Sequence, residues 1–433
     1  MIGFRRGRDW TGAVAVILLC LASARMTEAA VLPEATPESQ GLSAVRLQRL
    51  HEYMRKATDA EGYPGGVSLV MRNGRIVDWQ AYGYRDIARH DAMRKDTIFR
   101  IYSMTKTVTS VAVMMLVEEG KITLEDPVSR YLPGFSTPQV FAGGNADAPR
   151  LRPAARPITI HALLTHTAGY PASLKGDEEA VKLMERTDPH GASDLRGFAE
   201  RMSRVPLAAD PGTRFGYDGA STELLARVVE VASGESFEAF LRQRIFDPLR
   251  MPDTDFSVPV SQRMRVVDIT TMDKNGKLTI ADGASAAHPG EPLNAYTSGA
   301  GGLYSTAGDY ARFAQMLLNG GTLDGQTLLG RKTVELMMQN HLTMLNPPVT
   351  QFSDAEGFGI GGYVVIDVAK RGQLGSLGQY GWTGAASTYY TIDPKEHLVA
   401  ILMLQHLPRD DVPKDLPRIS RNFYNLVYQA LLR

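Results

Sequence analysis

The chain has one cysteine, Cys20. A single thiol excludes an internal disulfide, a Cys-ligated zinc site and a catalytic thiol. Neither sign of charge is in excess, with Lys plus Arg at 47 and Asp plus Glu at 47. No basic field is available to recruit nucleic acid or an anionic membrane surface, so neither partner is expected. Several catalytic signatures are also missing: there is no Gly-x-Ser-x-Gly elbow, no His-Glu-x-x-His, no P-loop, and no Gly-x-Gly-x-x-Gly opening a helix after a strand. The nine histidines show no metal-ligand spacing. His161 and His166 read as structural, because two lone imidazoles do not make a closed site. No metal and no organic cofactor is expected.

The apolar run over residues 13–22 is short for a membrane-spanning helix, which needs about 20 apolar residues. Arg5, Arg6 and Arg8 precede it and small residues follow, which is the layout of a secretory signal peptide. Ala22-Ser23-Ala24 and Thr27-Glu28-Ala29 both offer cleavage sites, and Leu19 is too bulky before Cys20 for a lipoprotein signal. Residues 1–29 are expected to be removed. The product would be periplasmic or extracellular, without stable membrane association; a retained anchor is the alternative.

With 433 residues, 44% of them hydrophobic, the chain can bury a large core and is expected to form two intimately packed subdomains. Residues 42–57 carry an apolar helical stripe. Strands over 67–71 and 76–82 flank Asn73-Gly74, the pair that best supplies the positive φ angles of a two-residue hairpin turn. Residues 103–119 are apolar nearly all round and stop at Gly120, which predicts a helix buried at the centre. Helices follow over 222–232, with Gly234 beyond the end, and over 307–319, capped by Ser305 or Thr306. The Pro-, Gly- and polar-rich stretches 133–157 and 171–195 read as long surface excursions. Strand patterns return over 361–368, 386–392 and 398–404, the last two joined by Asp393-Pro394-Lys395-Glu396, and an amphipathic helix ends the chain. The expected fold class is α+β: an antiparallel sheet flanked by N- and C-terminal helices, with an all-helical lobe inserted. Residues 30–98 and 290–433 would form the α/β subdomain, and 99–289 the mainly helical one.

Chemistry concentrates in three places. Ser103 stands where an irregular approach enters the buried helix, and Lys106 follows three residues later. Residues i and i+3 share a helix face, so the ammonium can approach the hydroxyl, while the helix N-terminus leaves the Ser103 N–H free to donate. Read alone, Ser103 is an N-cap serine and Lys106 a first-turn lysine, but an unpaired ammonium on a buried helix would be costly. Tyr217 lies on a loop after the turn signal Asp210-Pro211-Gly212; alone it reads as a core tyrosine, and beside an ammonium it could shuttle a proton. Gly381-Trp382-Thr383-Gly384-Ala385 enters a strand; it is a simple turn, or a place where backbone approaches a ligand and the Ala385 N–H completes an oxyanion hole with Ser103.

Ser103-x-x-Lys106, Tyr217 and Trp382-Thr383-Gly384, in that order, resemble the serine β-lactamase and penicillin-binding-protein superfamily. The stretches 158–169, 211–215 and 301–310 resemble it too, so the likeness runs from about residue 33 to the C-terminus. Within the superfamily the chain looks most like family VIII carboxylesterases. Gly219 stands where class C β-lactamases place the Asn that binds the acylamide side chain. Trp382 stands where they place a Lys near the lactam carboxylate. The resemblance implies a secreted serine hydrolase that cleaves small-molecule carboxylic esters through an acyl-Ser103 intermediate. Lys106 and Tyr217 would exchange the protons, and Trp382, Thr383, Gly384, Gly219 and Tyr170 would contact the substrate. The alternatives are a class C-like β-lactamase, a D-alanyl peptidase or amidase, or a transacylase of the same fold.

Overall fold

The computed structural model describes Gly3 and residues 32–59 and 62–432. The proposed signal segment, with Cys20, lies outside them apart from Gly3. The main sheet has seven antiparallel strands. Two come from the N-terminal part, β1 (Gly65–Arg72) and β2 (Arg75–Gly83). Five come from the C-terminal part: β3 (Glu356–Phe358), β4 (Tyr363–Val365), β5 (Tyr380–Gly384), β6 (Thr388–Asp393) and β7 (Leu398–Met403). Their spatial order is β3-β4-β5-β6-β7-β1-β2. Asn73 and Gly74 turn the β1–β2 hairpin with φ of 52° and 74°. At the β6–β7 turn the Asp393 carboxylate accepts the Lys395 and Glu396 N–H groups.

The sheet is buried on both faces, which is why β7 is apolar without a break. On β7, Val399, Ile401 and Met403 join one core and Leu398, Ala400 and Leu402 the other. The second core is closed by α1 (Ala44–Ala57), capped by the Ser43 side chain, and by the C-terminal helix α5 (Ser420–Tyr428), which presents Phe423 and Val427. The first core is built around α2 (Thr105–Glu118), in which every residue from Thr105 to Leu116 is buried. Against it pack α3 (Ala220–Ser233), ended by left-handed Gly234, and α4 (Ala307–Leu318), capped by Thr306.

Two readings of the middle of the chain need correction. The inserted region is not all-helical: Gln139–Gly144 pairs with Pro149–Pro153, and Thr270–Met272 with Leu278–Ile280. The first ribbon falls within 133–157; its second strand is largely exposed, so it lacks the alternation that marks a half-buried strand. The stretch 171–195 holds a ten-residue helix, Glu178–Thr187, whose apolar face (Ala180, Val181, Leu183, Met184) is only half-buried apart from Ala180.

Candidate active site

Ser103 is positioned by three successive features. Phe99–Arg100 pairs with Tyr304–Ser305, which fixes the approach. Tyr102 then takes a positive φ of 42°, a conformation a bulky residue adopts only when its surroundings enforce it. The 3-10 turn Tyr102–Met104 leads into α2, leaving Ser103 half-buried at the N-terminal end of the central helix. Lys106 lies one turn further on and is 5% exposed. Its Nζ donates to Ser103 Oγ at 3.1 Å and to the Ala300 carbonyl at 2.7 Å. The buried ammonium therefore has two acceptors, which offset the cost of taking it out of water.

Tyr217 joins the pair from the other side, its ring centroid 5.1 Å from Lys106 Nζ. Its hydroxyl accepts the indole N–H of Trp382 at 3.0 Å, and its backbone N–H donates to Gln351 Oε1 at 2.9 Å. The loop that carries it is tied down by Gly212 N–H to the Thr167 carbonyl and Gly216 N–H to the His166 carbonyl. Behind it the His166 ring lies 4.6 Å from the Tyr217 ring, 3% exposed. Burial holds the His166 proton affinity below its ordinary value, so the ring packs as a neutral group. Asp218 sits beside His166 and accepts both the N–H and the hydroxyl of Ser221 in the first turn of α3. His166 is thus structural, as its spacing suggested, but what it supports is Tyr217.

The end of β5 closes the third side. A Cβ on Gly384 would stand 2.4 Å from the Ile101 carbonyl oxygen and 2.2 Å from Thr388 Oγ1, so only glycine lets this strand end press against the turn that carries Ser103. Ala385 and Thr383 are exposed. Among the described residues no backbone acceptor takes the Ser103 or the Ala385 N–H, and both remain free to donate.

The other expected contact residues divide. Gly219 is half-buried at the start of α3, with the Ala300 side chain 3.9 Å from where its Cβ would be. Trp382 is only 7% exposed and packs edge-on against Phe358, so it backs Tyr217 and does not form an open wall. That place is taken by Phe352, 58% exposed and 5.8 Å from the Tyr217 ring, on a segment with no helix or strand pattern of its own. Tyr170 does not line the cleft: it is 2% exposed and belongs to the main core. Among the described residues no group of three or more His, Cys, Asp or Glu could hold a metal ion, and no helix is long and apolar enough to cross a membrane.

A hydroxyl, an ammonium and a phenol from separate elements thus converge beside two free N–H donors, an arrangement able to make and break an acyl-serine bond. The family model described as Beta-lactamase matches residues 50–421. Protein Rv1367c of Mycobacterium tuberculosis is 33% identical over 365 residues, covering 82% of this chain and 89% of its own. Esterase EstB of Burkholderia gladioli is 31% identical over 304 residues, covering 66% and 73%. Among solved structures, EstCE1, described as a hydrolase with promiscuous acyltransferase activity, superposes with a TM-score of 0.72 at 25% identity, covering 88% of this chain and 98% of its own. The chain belongs to the Beta-lactamase family and is a serine hydrolase of that fold.

Proposed function

We propose that the protein is an exported serine carboxylesterase acting on esters with apolar substituents. Ser103 Oγ attacks the ester carbonyl while its proton passes to the Lys106–Tyr217 pair, and the oxyanion rests on the Ser103 and Ala385 N–H groups. The tetrahedral intermediate expels the alkoxide, which takes a proton from Tyr217. Water then attacks the acyl-serine with the same groups in reverse, releasing the carboxylic acid and restoring Ser103. The two protons are coupled, so the pair acts as one acid–base unit.

The observation that carries the preference for esters is the Trp382 N–H on the Tyr217 hydroxyl. The donor to that oxygen is the neutral Trp382 side chain, which by resemblance stands where a class C lactamase has a Lys for the lactam carboxylate. Gly219 offers no amide for an acylamide group, and the exposed Phe352 ring adds apolar surface on the side from which Tyr217 serves the leaving alcohol. The kinship with Esterase EstB supports the same reading. An acyl-enzyme in a cleft that admits alcohols could also pass its acyl group to one, as the activity named for EstCE1 suggests.

Short p-nitrophenyl esters should be hydrolysed, and Ser103→Ala should lose several powers of ten in rate. A chromogenic cephalosporin turned over as efficiently as the esters would reverse the assignment in favour of a β-lactamase or D-alanyl peptidase. Export is tested by the N-terminus of the secreted protein, which should begin after Ala24 or Ala29.

A further inference from the structure

The proposed acid–base chemistry leaves one buried carboxylate unused. Glu223 lies in the first turn of α3 and is 1% exposed. An acid at a helix N-terminus favours the helix dipole, but an exposed side chain would serve that purpose. Burying a carboxylate is costly unless its oxygens are fully engaged. In this helix Oε1 accepts the Ser298 hydroxyl at 2.5 Å and Oε2 accepts the Gly299 N–H at 2.7 Å.

Those two bonds hold one side of the 298–301 turn. The Ser298 hydroxyl oxygen also accepts the Gly301 N–H at 3.2 Å, and the Gly299 carbonyl accepts the Thr109 hydroxyl of α2 at 2.7 Å. Gly299 is wedged so tightly that a Cβ would come within 2.7 Å of Ala226 Cβ and 3.0 Å of the Thr222 carbonyl. The turn is therefore clamped between α2 and α3, and it directs the Ala300 carbonyl at Lys106 Nζ. With one ammonium proton held there, a second is aimed at Ser103 Oγ.

We propose that Glu223 is a positioning residue for the Ser103–Lys106 pair: it fixes the Ala300 carbonyl that orients the ammonium, and it sets its charge on the side of the amine. The titratable groups facing its carboxylate are Lys106 on α2 and Tyr296, just before the clamped turn. Burial pushes the Glu223 carboxyl up to about 7, with Ser298 and the Lys106 charge opposing that rise, so the carboxylate is charged above about pH 7 and neutral below it. In Glu223→Gln the amide oxygen can accept the Gly299 N–H and the amide nitrogen can donate to Ser298 Oγ, so the clamp survives and only the charge is lost.

The inference rests on Ser103 being the nucleophile but not on the ester preference, so its readout is Ser103 labelling by a fluorophosphonate as a function of pH. Glu223 takes up its proton near pH 7, so the wild-type profile should carry an inflection there that Glu223→Gln lacks. KM for p-nitrophenyl butyrate should stay within about twofold, because Glu223 does not touch substrate. Glu223→Ala, which also opens the clamp, should label more slowly by about a hundredfold; if it fails to fold, Glu223→Gln decides alone. A Glu223→Gln profile superimposable on wild type, or a change in KM alone, would overturn the proposal. Wild type that takes no label on Ser103 would overturn both this and the proposed mechanism. Labelled wild type that cleaves no ester would overturn the substrate class only.

Discussion

The Trp382 N–H on the Tyr217 hydroxyl is the contact whose removal should report most directly on how the site works. Trp382→Phe keeps an aromatic ring against Phe358 and deletes the only donor that the indole supplies. A hydrogen bond to a neutral hydroxyl contributes about 1 kcal/mol, whereas one to an oxygen carrying negative charge contributes about 2 kcal/mol. Only the difference, about 1 kcal/mol, separates the ground state from a transition state in which Tyr217 has surrendered its proton. That corresponds to a fall in kcat and kcat/KM of about five- to tenfold with KM nearly constant. The smaller ring leaves a gap in a side chain that is 7% exposed, so the melting temperature should also drop by a few degrees. Steady-state kinetics on p-nitrophenyl butyrate, with a parallel thermal melt, separates the two effects. If kcat were unchanged and KM alone rose, Trp382 would be a binding surface, and Tyr217 would carry no developing charge for the indole to stabilise.

Phe352→Ala should lower kcat/KM for esters of bulky apolar alcohols by about tenfold, the share of about 1.4 kcal/mol that a partly covered ring contributes, while leaving methyl esters and stability unchanged. An equal loss on both substrate sets would place Phe352 outside the leaving-group side. Gly384→Ala forces a Cβ to within 2.4 Å of a backbone oxygen; it should cost about 1–3 kcal/mol of stability in a denaturant titration and suppress Ser103 labelling, because the Ala385 N–H moves with the strand end. Asp309, buried at the start of α4 and accepting the Asp253 N–H and the Thr254 hydroxyl, is pushed up to about 7 by burial. Its raised folded value means that the folded state binds the proton more tightly than the unfolded chain, so its stabilising contribution is lost as pH rises from about 4 to about 7. Asp309→Asn should therefore gain stability relative to wild type between pH 5 and pH 8, by on the order of 1–3 kcal/mol, in paired melts; a difference that does not change with pH would refute this.

What could be read from the chain beforehand was whatever depends on short spacing. Ser103 and Lys106 share a face because a helix returns every 3.6 residues, and the structure puts them 3.1 Å apart. Asn73-Gly74 turns the hairpin because few other pairs tolerate two successive positive φ angles. The alternation along a strand says that Trp382 and Thr383 face opposite ways, yet not which one faces the cleft, and the indole proved to be the covered one. The groups that escaped notice all arrive through tertiary contact: the Ala300 carbonyl 194 positions from Lys106, and Gln351 134 positions from Tyr217. A backbone carbonyl has no sequence signature at all, and Phe352 sits in a segment without periodicity. Glu223 could have been singled out, since a lone acid amid Ala220, Leu224 and Leu225 on a helix with an apolar face is an anomaly that demands a partner. The partners are the Ser298 hydroxyl and the Gly299 N–H on a distant turn, so the acid's place beside the ammonium becomes visible only once α2 and α3 are packed.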